Sequence, residues 1–131
     1  MAFIESNVTK IKKETSNIST GRVIICAGFN NTIVTFCDLE GRAVCVSSSG
    51  AQGFKGTRKA TPYAATIATE AAAKKAYAKG MREVSVIVKG PGNGRISPLK
   101  ALKSAGLNVV SISDMTPIPH NGCRAKNRRR V

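Results

Sequence analysis

Acidic side chains are scarce in this chain. Glu5, Glu14, Asp38, Glu40, Glu70, Glu83 and Asp114 are all seven of them, against 21 Lys and Arg. The formal charge of +14 repels itself in a compact chain and makes sense once a polyanion neutralises it. Nucleic acid is the first candidate and an anionic membrane surface the second. So few carboxylates argue against phosphodiester hydrolysis, because a two-metal site needs several of them converging on its ions. His120 is the single histidine. A lone histidine makes a poor metal site, and no nucleophile and orienting carboxylate complete a catalytic set around it. Tryptophan is absent, and four Phe and two Tyr are too few for a single-strand reader that works mainly by stacking bases. The cysteines Cys26, Cys37, Cys45 and Cys123 include no CxxC pair. The first three fall in apolar runs, where a free thiol reads as a small buried hydrophobe. No stretch approaches about 20 apolar residues, and the N-terminus MAFIESNVTKIKKE lacks a signal-peptide core. With no strongly amphipathic basic helix either, the expectations are a reducing, intracellular setting, no membrane partner and no cofactor.

What the chain does contain is one domain's worth of alternating elements in 131 residues. Residues 1–20 read as a polar arm with Lys10, Lys12 and Lys13 clustered in it, ordered only by a partner. Arg22 to Ala27 reads as a strand, and FNNT follows as a turn, since asparagine tolerates the left-handed region. TIVTFCD is a second strand, LEG a turn, and RAVCVSSSG a third strand, which together make an antiparallel meander. GFKGTRKAT is a glycine-rich basic loop. It leads into an alanine-rich helix capped by Thr61, opened by Pro62 and closed by Gly80. Glu70 and Lys74 stand at i,i+4 on it, and Lys74, Lys75 and Lys79 crowd its negative end. REVSVIVKG is a fourth strand. GPGNGRIS then repeats the device, with Ser97 as cap, Pro98 at the first helical position and Gly106 as stop. LNVVSISD is a fifth strand. The order is β-β-β-α-β-α-β, an α/β fold with a mixed five-stranded sheet over residues 21–114 and a basic extended C-terminal tail over 115–131.

Strand direction follows from that order. The second strand reverses between the first and third, and the two helical crossovers make the third, fourth and fifth parallel. The FNNT turn, both glycine-rich loops and the tail should therefore leave one rim of the sheet, with Asp38 and Glu40 at the other. This rim gathers Lys55, Arg58, Lys59, Arg95 and the tail, and points two helix N-termini at one region, an arrangement that favours phosphate. The loop Gly90 to Arg95 has neither the dinucleotide fingerprint nor a Walker loop's GK[ST]. Its glycines, Gly90 and Gly92 among them, read as room for backbone amides to approach the phosphates of a nucleic acid, beside the plainer reading of a strand-to-helix turn. In the tail, Pro117 and Pro119 keep the chain extended and Asn121-Gly122 supplies a turn. Arg124, Lys126, Arg128, Arg129 and Arg130 follow, and arginine's planar guanidinium can bridge phosphates or stack on a base.

FNNTIVT, GFKGTRKATPYAA, VKGPGNGR and DMTPIPHNGCR…RRRV, in that order from about Gly21 to the end, resemble the universal small-subunit ribosomal protein S-eleven family in its bacterial or organellar form. Where that family commonly carries prolines after NGCR, this chain has Ala125-Lys126-Asn127. The resemblance implies a three-layer fold of ribonuclease H-like topology without catalysis. It implies a place on the platform of the small subunit, bridging ribosomal RNA helices near the exit site and the Shine-Dalgarno cleft, on cytoplasmic or organellar ribosomes. Implied neighbours are small-subunit proteins seven and eighteen, initiation factor three and nearby messenger RNA. By motif match it implies RNA contacts for Asn30, Asn31, Thr32, Lys55, Arg58 and Lys59, and further on for Arg95, His120, Asn121, Arg124 and the terminal arginines. RNA should be read by shape and backbone, with little base readout. The alternatives are a ribonuclease H-like nuclease, which would need acids gathered around Asp114, and non-specific binding of duplex DNA.

Overall fold

The computed structural model describes residues 19–127. Five strands form one sheet: β1 Thr20–Ala27, β2 Thr32–Cys37, β3 Ala43–Ser48, β4 Glu83–Lys89 and β5 Asn108–Asp114. Their spatial order is β3-β2-β1-β4-β5. β2 runs antiparallel to β1 and β3, while β1, β4 and β5 pair in parallel. The directions expected from the crossovers are those observed.

Period-two alternation decides which face is covered. Val23, Ile25 and Ala27 on β1, Val34 and Phe36 on β2, and Val84, Val86 and Val88 on β4 are buried. Against them lies helix α1, Pro62–Ala78, whose buried stripe is almost entirely alanine: Ala64, Ala65, Ala68, Ala72, Ala73 and Ala76 with Thr69. Side chains this small let the helix backbone sit close on the sheet. Helix α2, Ser97–Ser104, adds Leu102 to the same core, and Met81 and Leu107 close it.

The two helices pack on one another as well as on the sheet, so among the described residues the fold has two layers, not the three that the family resemblance implies. The cause is topological. Crossovers of one hand that step the same way across the sheet, β3 to β4 and β4 to β5, leave both helices on the same face. The opposite face carries the alternate residues, and Arg22, Cys26, Ile33 and Val46 are exposed there. This corrects the reading of Cys26 as a buried thiol. Cys37 is buried and Cys45 half-buried, and burial pushes both thiols up from their ordinary range.

Local details follow the expected chemistry with four differences. Thr61 caps α1, its Oγ1 accepting from the Ala64 N–H at 3.3 Å, with Pro62 at the first position and Gly80 (φ 96°) after the end. Ser97 does not cap α2. A 3-10 turn, Asn93–Arg95, runs through Ile96 in right-handed helical conformation straight into it, so no extended residue remains to act as a cap. Glu70 and Lys74 form no ion pair, and the ion pairs of the described residues are Arg42–Asp38, Arg42–Glu40 and Arg95–Asp114. An exposed i,i+4 pair is worth only about 0.2–0.5 kcal/mol, little against the side-chain entropy of holding it. Lys79 does more than face the helix dipole: its Nζ donates to the Val44 carbonyl on β3 at 2.8 Å. Finally, Asn30 and Asn31 take no left-handed conformation. The turn is closed by Gly28 N–H to Asn31 O at 2.9 Å, and Asn31 Oδ1 accepts from the Thr32 N–H at 2.9 Å. Among the described non-glycine residues the left-handed one is Asn121 (φ 59°), ahead of Gly122.

Candidate nucleic-acid interface

The four segments expected on one rim do meet there, stitched by backbone hydrogen bonds. Ser49 N–H donates to Thr32 O at 3.0 Å, Gly92 N–H to Ala27 O at 2.8 Å, and Met115 N–H to Val88 O at 3.0 Å. Gly90 N–H donates to Thr116 Oγ1 at 3.2 Å. A second 3-10 turn, Gly56–Ala60, presents Arg58 and Lys59 beside Lys55, and Thr61 Oγ1 donates to Arg58 O at 2.8 Å, tying that turn to the start of α1. Lys55 and Arg58 are exposed, while Lys59 is half-buried with its stem 3.5 Å from where a Cβ on Gly50 would stand. His120, Asn121, Arg124 and Lys126 are exposed on the tail, whose residues 115–127 form neither helix nor strand. Lys10, Lys12, Lys13, Arg128, Arg129 and Arg130 lie outside the described residues.

Two sets of expected contacts change meaning. Thr32 is fully buried, with its hydroxyl facing Gly94 and without a hydrogen-bond partner. It belongs to the interior of the rim rather than its outer surface. Gly90, Gly92 and Gly94 are small because protein, not phosphate, lies against them. A Cβ on Gly90 would stand 2.3 Å from Ala27 O, one on Gly92 2.2 Å from Gly28 O, and one on Gly94 2.5 Å from Thr32 Oγ1. The N–H groups of Gly90 and Gly92 already donate inside the fold, so neither is free for a phosphate. These glycines seat the second loop on the end of β1 and leave Asn93 and Arg95 to present themselves outward.

Arg95 is held rather than loose. Its guanidinium pairs with one Asp114 carboxylate oxygen. The other oxygen accepts from Thr116 N–H at 3.1 Å and Thr116 Oγ1 at 2.6 Å. The Thr116 hydroxyl, then its N–H, then Arg95 hold the Asp114 carboxyl below the usual carboxylate range. Asp114 thus belongs to a clasp that joins the loop before α2 to the first residues of the tail. Among the described residues no three His, Cys, Asp or Glu side chains gather as a metal site. The Asp-x-Thr spacing of Asp114 and Thr116 is the sequence signal that reveals the clasp, since a short acid commonly accepts from the backbone two residues on.

On the far rim the turn between β2 and β3 pairs its charges locally. Asp38 Oδ1 accepts from the N–H groups of Arg42 at 2.8 Å and Glu40 at 3.0 Å. The Arg42 side chain meets Asp38 at 3.2 Å and Glu40 at 2.7 Å. The Arg42 N–H is the leading cause that holds the Asp38 carboxyl below its ordinary value. Arg42 thus pairs within its own turn with both acids, while Lys55, Arg58, Arg124 and Lys126 are exposed on the basic segments of the other end.

A family model described as Ribosomal protein S11 matches residues 21–130. The chain belongs to the ribosomal protein S11 family. As an S11-family member it is a ribosomal protein of the small subunit, an rRNA-binding component of a ribonucleoprotein that serves translation. The match begins at the second residue of β1 and ends at Arg130, so it takes in all the rim segments. No helix among the described residues of this S11-family chain is long and apolar enough to cross a membrane.

Proposed function

We propose that this chain is a non-enzymatic scaffold that bridges ribosomal RNA helices on the small-subunit platform, near the exit site and the Shine-Dalgarno cleft. Residues 21–114 form the RNA-binding body, and 115–131 act as a clamp that threads between RNA elements. Residues 1–20, with their lysines, act as a second arm. Small-subunit proteins seven and eighteen, initiation factor three and messenger RNA lie nearby. The sheet order β3-β2-β1-β4-β5 with β2 alone reversed supports the ribonuclease H-like reading of the topology. The observation that carries the function is the family match over residues 21–130, and the cations of the rim accord with it. Lys55, Arg58, Lys59, Arg124 and Lys126 share a rim on which the acid Asp114 is already clasped by Arg95. Such a surface meets the RNA backbone and its shape, with base edges secondary.

The test is binding to a platform fragment of small-subunit ribosomal RNA across a salt series, for the full chain and for a chain ending at Asp114. The full chain should bind with a steep salt dependence, and the truncation should flatten it by several units. Each lost phosphate contact removes about 0.7–0.9 units of slope. Equal slopes would leave the tail without a clamp role, and equal affinity for duplex DNA at matched salt would remove RNA specificity altogether.

A further inference from the structure

The aromatic side chains are few but unevenly placed. Phe36 is in the core, and Tyr77 is covered by the Arg82 guanidinium, 3.6 Å from its ring centre. Phe29, Phe54 and Tyr63 all stand on the basic rim, where Phe29 is 65 % and Tyr63 67 % exposed. A concavity of about 360 Å³ opens between Gln52, Gly53, Phe54, Lys55 and Arg58, near the lower end of small-ligand sites at about 300–1,000 Å³.

We propose that this concavity receives one unstacked nucleobase of the ribosomal RNA, seated against the Phe54 ring, with Lys55 and Arg58 on the phosphates flanking it. This rests on the RNA-binding reading above and adds a base site to it. The pocket is not built for phosphate alone, since a phosphate needs cations and N–H donors but no aromatic wall. The wall is fixed in place. Phe54 N–H donates to Ser49 O at 3.3 Å, and the ring meets Tyr63 edge-on at 5.9 Å between centroids and 79° between planes. Gly53 (φ 92°) makes the turn that opens the mouth, with no atom near the position its Cβ would take. Gln52 donates its amide Nε2 to Ser47 Oγ at 3.0 Å, which turns the carboxamide oxygen into an oriented acceptor. Every base has a π-face, so such a seat anchors a nucleotide with little regard to its identity.

The experiment compares Phe54→Leu with Lys55→Gln in platform-fragment binding over the same salt series. Losing one stacked base should weaken Phe54→Leu by about 5- to 150-fold with the salt slope unchanged. Lys55→Gln should lower the slope by just under one unit. Wild-type affinity for a Phe54→Leu chain of unaltered melting temperature overturns the base seat. Absence of binding by the wild type overturns the RNA-binding reading itself. Because Phe54→Leu can loosen the loop, a second measurement uses the unaltered chain. Small subunits reconstituted with RNA that carries a photoreactive analogue of each base in turn are irradiated, and the protein is digested for mass spectrometry. A nucleotide adduct on the peptide carrying Phe54 supports the proposal. Adducts confined to other peptides overturn it.

Discussion

Replacing Gly92 by alanine separates two explanations of the second glycine-rich loop. If the glycine lets an amide approach phosphate, the isolated protein should tolerate a methyl there. The structure says otherwise. The new Cβ would stand 2.2 Å from Gly28 O and 2.8 Å from both Ala27 C and Ala27 O. All three are backbone atoms of the central strand and its turn, so no flexible side chain can swing aside. The φ and ψ of Gly92, −70° and 167°, suit alanine well, so the whole penalty is steric. Overpacking of this kind costs about 1–3 kcal/mol. The displaced loop also loses the Gly92 N–H to Ala27 O bond, worth about 1 kcal/mol. A stiffer unfolded chain offsets about 0.4–1 kcal/mol of this. The net expectation is a loss of about 1–3.6 kcal/mol, at about 4–8 °C of melting temperature per kcal/mol for a body of this size. Urea unfolding without RNA provides the assay, with the midpoint falling and the slope unchanged. Gly50→Ala is the control: its nearest neighbour would be the flexible Lys59 Cδ at 3.5 Å, and it should stay within about 0.5 kcal/mol of the wild type. A Gly92→Ala chain with wild-type stability and weakened RNA affinity would refute the packing explanation and restore the phosphate one.

Other expectations follow from single contacts. Asp114 has its carboxyl lowered on folding, so the clasp's contribution is present above the ordinary carboxylate value of about 3.9 and is lost as pH falls through the lowered value. A carboxyl ¹³C titration should show Asp114 ionised throughout the neutral range and Thr116 shifting with it only in acid. Thr61→Ala removes both the α1 cap and the hydroxyl bond to Arg58 O, and should cost about 0.5–2 kcal/mol in urea unfolding. Brief alkylation at neutral pH should label Cys26 and Cys123, which are exposed, well before Cys37 and Cys45, whose thiols are raised by burial; peptide mass spectrometry reads the order.

Element order and strand direction were legible because they rest on local signals: period-two runs, the Thr61-Pro62 start, and the handedness of crossovers. Family membership was legible because four motifs stand in sequence order. The number of layers was not. It depends on which way the crossovers step across the sheet, and β1 had first to be found beside β4. Cys26 was misplaced for the same reason, since an apolar neighbourhood in sequence does not say which face is covered. The role of Gly90 and Gly92 was hidden because a glycine beside backbone and a glycine beside phosphate look alike in a string of letters. Thr32 sits inside a recognisable motif, yet only the approach of Gly94 shows that its side chain is enclosed. The gathering of Phe54 and Tyr63 beside Lys55 and Arg58 escaped a composition argument, because a low average says nothing about local concentration.

The pairing of β1 with β4 has a consequence in time. β1, β2 and β3 meet through short hairpins and can zip locally, but Ile24 lies opposite Ile87, across the whole first crossover. Non-local parallel pairing of this kind is slow, because the intervening loop must close before any contact rewards it. The rim depends on that event: Gly92 reaches Ala27, and Met115 reaches Val88, only after the centre of the sheet is sealed. The basic edge in its final form therefore rests on contacts that span the first crossover, and in refolding it should appear with the slow non-local pairing rather than with the hairpins.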